Sequence, residues 1–474
     1  MDALTALANA GKAAVTVATQ MVGLLTGGSA SPAASGLGPA GPGGGRPAMM
    51  PRIPMFRTTS VQGCGLYPFV VGGATPLEGV ILGENLNGPG TICADHMAWF
   101  ERGIISAPSA MVMGLNGLGK STLIRRIVLG LANRGINSVI LGDIKPDYVD
   151  TVKALGGQVV RIGHGLGGIN PLDAGNVDEA VQLLADHPQE QASLLQAAHE
   201  RKKTLIISLI HIVRRQAPTD REEVILDAAV RILEERGGTP VLADLLEVVR
   251  EAPPELRAAA LDRGSMERYL EVTENLEASL MALLSGRLGG IFAAATTTPM
   301  MMDRSVVFDV SATQAESSDV QAATLLATWS YGFATVEISQ TLADAGVAPR
   351  RHYNVIMDEM WRIMRASPGL VDRIDALTRT NRSLGVGQVM CTHSITDMDT
   401  LPNEEDRVKA RGFVERSKML FVAEGDGDDR LGVQAESGGA GSAAFVERSG
   451  QPGPDVGRKG SAGRDGELHA QDLG

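Results

Sequence analysis

The chain has 474 residues, 44% hydrophobic and only 4% aromatic, with 57 glycines and a net charge of −12. That apolar content excludes a wholly disordered chain, and three cysteines, Cys64, Cys93 and Cys391, exclude a disulfide scaffold and read as a reduced, cytosolic protein. With an acidic overall balance, any nucleic-acid contact needs a local basic channel rather than global charge.

Taken in chain order, residues 13–25 come nearest to a membrane segment. They fall short of the roughly 20 apolar residues that a span needs, and Thr16, Thr19 and Gln20 interrupt them. They read as a short helix or tail rather than a signal or anchor. Residues 29–51 are rich in Gly, Pro, Ala and Ser and bury too little to offset their ordering entropy. Residues 1–57 are therefore expected to be a disordered tail, and 426–474, with its own glycine clusters, another.

Between them, continuous apolar runs stand at 111–113, 139–141, 159–162, 306–308, 355–357, 389–391 and 420–422. Continuous rather than alternating apolarity suits strands covered on both faces. Helical stretches between them give the α/β signature. Residues 178–290 differ, with helical periodicity and no good strand run. There Thr219 and Glu222 form a capping-box pattern, and Thr239-Pro240 reads as a helix cap followed by a first-turn proline. The expected architecture is a mostly parallel sheet flanked by helices, built from 58–177 and 291–425 and interrupted by an all-helical insertion at 178–290.

The most informative segment is Gly114-Leu115-Asn116-Gly117-Leu118-Gly119-Lys120-Ser121-Thr122, a full match to G-x-x-x-x-G-K-[ST] between an apolar strand and a helix. Its glycines let backbone N–H groups wrap a polyphosphate, and the helix behind adds its positive end. Lys120 is placed to reach the β- and γ-phosphates and the Ser121 hydroxyl to ligate Mg²⁺. The expected ligands are thus ATP and Mg²⁺.

A second acidic element follows at Asp358-Glu359, where an apolar strand ends in two carboxylates at the crevice in which such sheets bind ligands. Asp358 suits the Mg²⁺ shell and Glu359 suits polarising the attacking water. An Asp-Glu pair also suits any helix N-terminus; the phosphate loop upstream favours the chemical reading. His393, at the end of the strand at 387–391, is a candidate sensor of the γ-phosphate. Cys391 with His393 is a poor metal pair, lacking a second pair of ligands. Arg379 and Arg382 are either solvated helix charges or groups completing a neighbouring subunit's site. Gly163-His164-Gly165-Leu166-Gly167-Gly168 imitates a dinucleotide fingerprint, but Asn170-Pro171 follows it instead of a helix. Asp426, Asp428 and Asp429 begin like a calcium loop that has Ser437 where its bidentate acid belongs.

The ordered set of segments resembles the ATPase part of the TraC/TrbE/VirB-type conjugation and type IV secretion motors, in the HerA/FtsK superfamily. Those segments are Gly83-Glu84-Asn85, Asp143-Ile144-Lys145-Pro146-Asp147-Tyr148, Asn170-Pro171-Leu172-Asp173, Phe308-Asp309-Val310-Ser311, Asp358-Glu359-Met360-Trp361 and Arg382-Ser383-Leu384-Gly385. The resemblance covers roughly residues 67–423, with Ser383 where the family has lysine and His393 where it has glutamine. It implies a RecA-like fold, ATP hydrolysis, a hexameric ring with Arg382 or Arg379 acting in trans, and secretion-channel or coupling components as partners. Low-complexity residues 1–57 stand where the family has its docking domain, so either a separate chain supplies docking or the protein does a different job. The favoured function is a motor energising DNA or protein transfer, cytoplasmic and peripheral to the inner face of the membrane. The alternatives are a HerA/FtsK-like or coupling-protein-like DNA translocase and a nucleotide-binding assembly factor with little turnover. The retention of Glu359 speaks against the last. DNA is a candidate partner through the basic residues Arg201, Lys202, Lys203, Arg214 and Arg215.

Overall fold

A computed structural model describes residues 76–85, 90–115, 117–366, 386–393, 398, 400–401, 403–424, 430–435 and 444–447. The expected N-terminal tail at 1–57, and Arg379 and Arg382, lie outside these residues.

The described chain opens with a short antiparallel pair, β1 (Ile81–Glu84) and β2 (Thr91–Cys93), and a single large sheet follows. Its strands are β3 (Ser109–Gly114), β4 (Ile136–Asp143), β5 (Gln158–Arg161), β6 (Val306–Asp309), β7 (His352–Met357), β8 (Gly387–Thr392), β9 (Met419–Glu424), β10 (Arg430–Ala435) and β11 (Ala444–Glu447). The order is β11-β10-β9-β3-β8-β7-β4-β6-β5. From β9 to β5 every neighbouring pair is parallel, and β10 and β11 add an antiparallel edge. The expected mostly parallel sheet is present, and each of the seven apolar runs is one of its parallel strands.

Their continuous apolarity has a direct cause. Successive residues of a strand point to opposite faces, and both faces here are covered. Met111 and Met113 of β3, with Leu141 of β4, face one hydrophobic layer. Ala110 and Val112 of β3, with Ile140 of β4, face the other. That second layer is formed against α1 (His96–Glu101), α2 (Lys120–Asn133) and α3 (Val149–Ala154). The first is formed against α11 (Ser318–Asp344), a 27-residue helix whose Trp329 is fully buried. Apolar residues all round α11 fit a helix covered on every side. It packs so closely on β4 that a Cβ on Gly332 would lie 2.1 Å from Leu141 Cδ2.

Between β5 and β6 the chain is helical: α4 (Val177–Leu183), α5 (Pro188–Arg214), α6 (Asp220–Arg236), α7 (Leu242–Glu251), α8 (Pro254–Ala259), α9 (Met266–Leu284) and α10 (Gly286–Phe292). This is the expected all-helical insertion. The capping box at the start of α6 is formed, with the Thr219 N–H donating to Glu222 Oε2 at 2.8 Å and the Glu222 N–H to Thr219 Oγ1 at 3.4 Å. Thr239-Pro240 is not the start of α7. The helix begins two residues later, where Asp244 Oδ2 accepts the Val241 N–H at 2.7 Å. The remaining α-helices among the described residues are α12 (Met360–Ala366) and α13 (Glu404–Arg416).

The C-terminal tail expected at 426–474 contains the hairpin β10–β11 paired onto β9. Arg430-Leu431-Gly432-Val433-Gln434-Ala435 alternates in the period of a strand, a signal that the glycine-rich flanks obscure. Among the described residues no helix is long and apolar enough to cross a membrane.

Candidate nucleotide site

The loop from β3 to α2 needs its glycines. Gly117 and Gly119 have φ of 90° and 88°, the left-handed region that side chains disfavour. Gly119 caps α2, so Lys120 and Ser121 open that helix. Lys120 is folded back over the loop: Nζ donates to Gly114 O at 2.5 Å and Leu115 O at 3.0 Å, and lies 3.2 Å from His393 Nδ1. Ser121 Oγ donates to Asp147 Oδ2 at 2.8 Å. Asn116 lies outside the described residues.

The two acids follow β7. Asp358 accepts the Tyr148 hydroxyl at 2.9 Å and the Glu359 N–H at 2.8 Å. Burial pushes its carboxyl up, and the charge of Glu359 adds to this. Glu359 is buried and has a φ of 52°, rare for a side chain larger than glycine. Its carboxylate accepts from Trp361 Nε1 at 2.5 Å and pairs with Arg362 Nε at 3.4 Å, His393 Nε2 at 3.4 Å and Lys145 Nζ at 3.7 Å. Burial alone would raise its pKa. The His393 hydrogen bond and the Arg362 charge outweigh that and hold it at about 2.

His393 bridges the two halves because of strand order. The strand β8 lies between the phosphate-loop strand β3 and the acid strand β7. A residue just past β8 therefore stands between Lys120 and Glu359. One tautomer serves both partners: Nδ1 accepts from the lysine, and Nε2–H donates to the carboxylate.

A tight turn after β4 completes the cleft. The Tyr148 and Asp147 N–H groups donate to the Asp143 carboxylate at 2.8 and 3.1 Å. This brings Lys145, Asp147 and Tyr148 to Glu359, Ser121 and Asp358 respectively. Asp143 is 2% exposed, and burial raises its pKa from 3.8 to about 7 despite those bonds. A carboxyl raised on folding stabilises least when ionised, so its contribution is full below about pH 4 and is lost as pH rises through 7. Asp143→Asn should therefore flatten the fall in stability between pH 4 and pH 7, by an amount on the order of 2–4 kcal/mol. Urea unfolding at the two pH values measures it; an unchanged difference would mean that Asp143 does not titrate in this range.

The result is a cleft of about 290 Å³ lined by Lys120, Ser121, Lys145, Asp147, Asp358, Glu359 and His393, among others. The sequence singled out Lys120, Ser121, Asp358, Glu359 and His393, and the fold brings all five together. It missed Lys145, Asp147, Tyr148 and Arg362 as site residues. The first three stand in the Asp143–Tyr148 segment, which the sequence marked only as part of the family resemblance and without a role for its residues. The decoy at Gly163 is a turn closed by the Gly163 N–H on Gly167 O, with no helix opening behind it.

The basic residues proposed for DNA are spent on carboxylates. Lys202 holds Glu234 at 3.0 Å, Lys203 holds Asp227 at 3.2 Å, Arg214 holds Glu222 at 2.6 Å and Arg215 holds Asp319 at 2.9 Å, while Arg201 is paired with Glu337. Their helical spacing concealed partners supplied by α6 and α11.

The glycine loop after β3, the two acids after β7 and His393 after β8 between them thus meet at one end of a mostly parallel α/β sheet flanked by helices. VirB4 of Thermoanaerobacter pseudethanolicus has a similar fold, with a TM-score of 0.59 at 16% identity over 80% of this chain and 99% of that one. The plasmid coupling protein TrwB, in complex with a non-hydrolysable ATP analogue, matches at a TM-score of 0.46 and 13% identity over 79% of this chain and 95% of that one. No family model and no curated protein matches the chain.

Proposed function

We propose that the chain is a Mg²⁺-dependent ATPase working as a ring-forming motor in type IV secretion or conjugative transfer. The observation that carries the ATPase reading is the convergence of Lys120, Ser121, Asp358, Glu359 and His393 on one cleft. The transfer reading rests on the ordered sequence resemblance together with the fold shared with VirB4.

The donor set fits the expected ligands. Gly117 has nothing within 4 Å of where a Cβ would stand, so the loop has open space above it. Lys120 would exchange its two carbonyl partners for phosphate oxygens. Ser121 and Asp358 would hold Mg²⁺, which when bound neutralises phosphate charge. Glu359 orients and polarises the attacking water, and the pairs that hold its pKa low also keep it ionised at neutral pH. His393 positions Lys120 and Glu359 relative to each other. Arg379 or Arg382 would complete the neighbouring subunit's site in a hexameric ring. Docking to channel or coupling components would place the chain at the cytoplasmic face of a membrane.

The direct test is ATP hydrolysis by the purified full chain with Mg²⁺, alone and with single-stranded or duplex DNA. Stimulation by DNA would move the reading to a DNA translocase, and binding without turnover to an assembly factor. A finer prediction concerns His393. Glutamine also offers one acceptor and one donor, so His393→Gln should keep kcat within about tenfold of the parent, while His393→Ala should lose about 10–100-fold. Equal rates for parent and alanine variant would remove His393 from the mechanism.

A further inference from the structure

The insertion carries a second charged site, far from the phosphate loop in sequence and absent from the reading above. Its arginines divide cleanly. From Arg201 on Glu337 to Arg287 on Glu316, eight of them sit on a carboxylate. Arg221, Arg263 and Arg268 have no ion pair among the described residues, and these three share one place. Together with Leu261 and the Arg257–Asp262 pair they line a surface cavity of about 360 Å³ between the start of α6, the end of α8 and the start of α9.

The cavity is strongly cationic. Four guanidinium groups face a single carboxylate, Asp262, and that carboxylate is already held by Arg257 Nε at 2.6 Å and the Gly264 N–H at 2.8 Å. Three like charges around one hollow repel each other unless an anion joins them. Arg263 also stands on a loop in an unusual conformation, with φ of 52° at Leu261 and 55° at Arg263. The other described non-glycine residues with positive φ are Arg215 and Ala252 at helix ends and Glu359 in the nucleotide cleft. The adjoining hollow, which shares Arg221 and Arg268, also carries the carboxylates Glu267 and Glu271. The positive charge is thus confined to the Leu261–Arg263 side, where it suits a compact group.

We propose that Arg221, Arg263 and Arg268 form a binding site for a phosphate group. Guanidinium forks match phosphate oxygens in geometry and keep their charge at any working pH. The phosphate could belong to a small phosphorylated ligand or to one position of a nucleic-acid strand, which the test separates.

Binding is measured in the full-length Lys120→Ala chain, so that the phosphate loop contributes little, with inorganic phosphate by calorimetry and a fluorescein-labelled oligo-dT by anisotropy. The same chain carrying Arg263→Gln and Arg268→Gln should bind at least about tenfold more weakly, since two charge-assisted hydrogen-bonding groups are lost. Arg221→Gln should weaken binding in the same sense. Arg231→Gln, which removes a guanidinium already paired with Asp227, should not. Phosphate binding without oligonucleotide binding assigns a small ligand; much tighter oligonucleotide binding assigns a strand. The proposal is overturned if neither probe binds, if the double variant binds like its parent, or if Arg231→Gln costs as much. In the chain that keeps Lys120, the double variant should hydrolyse ATP at the parent rate, so failure here is separable from failure of the ATPase reading.

Discussion

Lys120→Ala should abolish ATP hydrolysis and tight nucleotide binding. The lysine opens α2 with its ammonium over two backbone carbonyls of the loop and beside His393. It is the cation of the phosphate loop and the link from that loop to the sensor position. Removing it takes away charge-assisted bonds to the phosphates, each worth about 1.5–3 kcal/mol. It also removes charge stabilisation in the transition state. Losing one donor of that kind costs about 10²–10³ in rate, and the binding loss adds to it. Arginine should not restore activity, because a planar fork does not replace a compact ammonium. The fold should survive, since Lys120 is only part-buried and its ammonium bonds only to carbonyls of the loop and to His393. Mg²⁺-dependent phosphate release and nucleotide-analogue titration report both effects. Hydrolysis by the alanine variant at the parent rate would remove the ATPase reading.

Glu359→Gln should bind ATP nearly as well as the parent and turn over about 10²–10⁴-fold more slowly, the span expected of a positioned general base. The substitution keeps shape and size, so the left-handed backbone at this position bears the same side chain as before. Glutamine retains an acceptor for the Trp361 indole N–H. It loses the charge that pairs with Arg362, His393 and Lys145. Single-turnover kinetics separates this from a binding defect: the amplitude of bound nucleotide stays, and the rate of cleavage falls. Asp358→Asn should behave differently, raising the Mg²⁺ concentration needed for half-maximal rate. A normal cleavage rate in Glu359→Gln would assign the water to another group of the cleft.

Local sequence determined a great deal. The seven apolar runs, short and bounded by polar or glycine residues, read as strands covered on both faces, because a two-sided cover leaves no polar face to alternate with. The glycines at 117 and 119 and the Lys-Ser pair specify the phosphate loop through backbone conformation and helix start, which are local properties. The same holds for the Thr219–Glu222 cap.

Where reading by residue ran out, the missing information was long-range. The partners of Arg201, Lys202, Lys203, Arg214 and Arg215 come from other helices, so a run of basic residues looked free when its charge was matched. The three arginines that remain unmatched were invisible for the same reason, since each stands alone in the chain. Strand order decided the rest. Nothing local in Thr392-His393 says that β8 lies between β3 and β7, yet that placement joins His393 to both Lys120 and Glu359. The turn from Asp143 to Tyr148 is a similar case: sequence marks the segment only as part of a resemblance, and the packed sheet brings its lysine, aspartate and tyrosine to three different residues of the site. Periodicity and backbone preference are written within a few residues, whereas charge pairing and strand adjacency are set by which distant segments share a core.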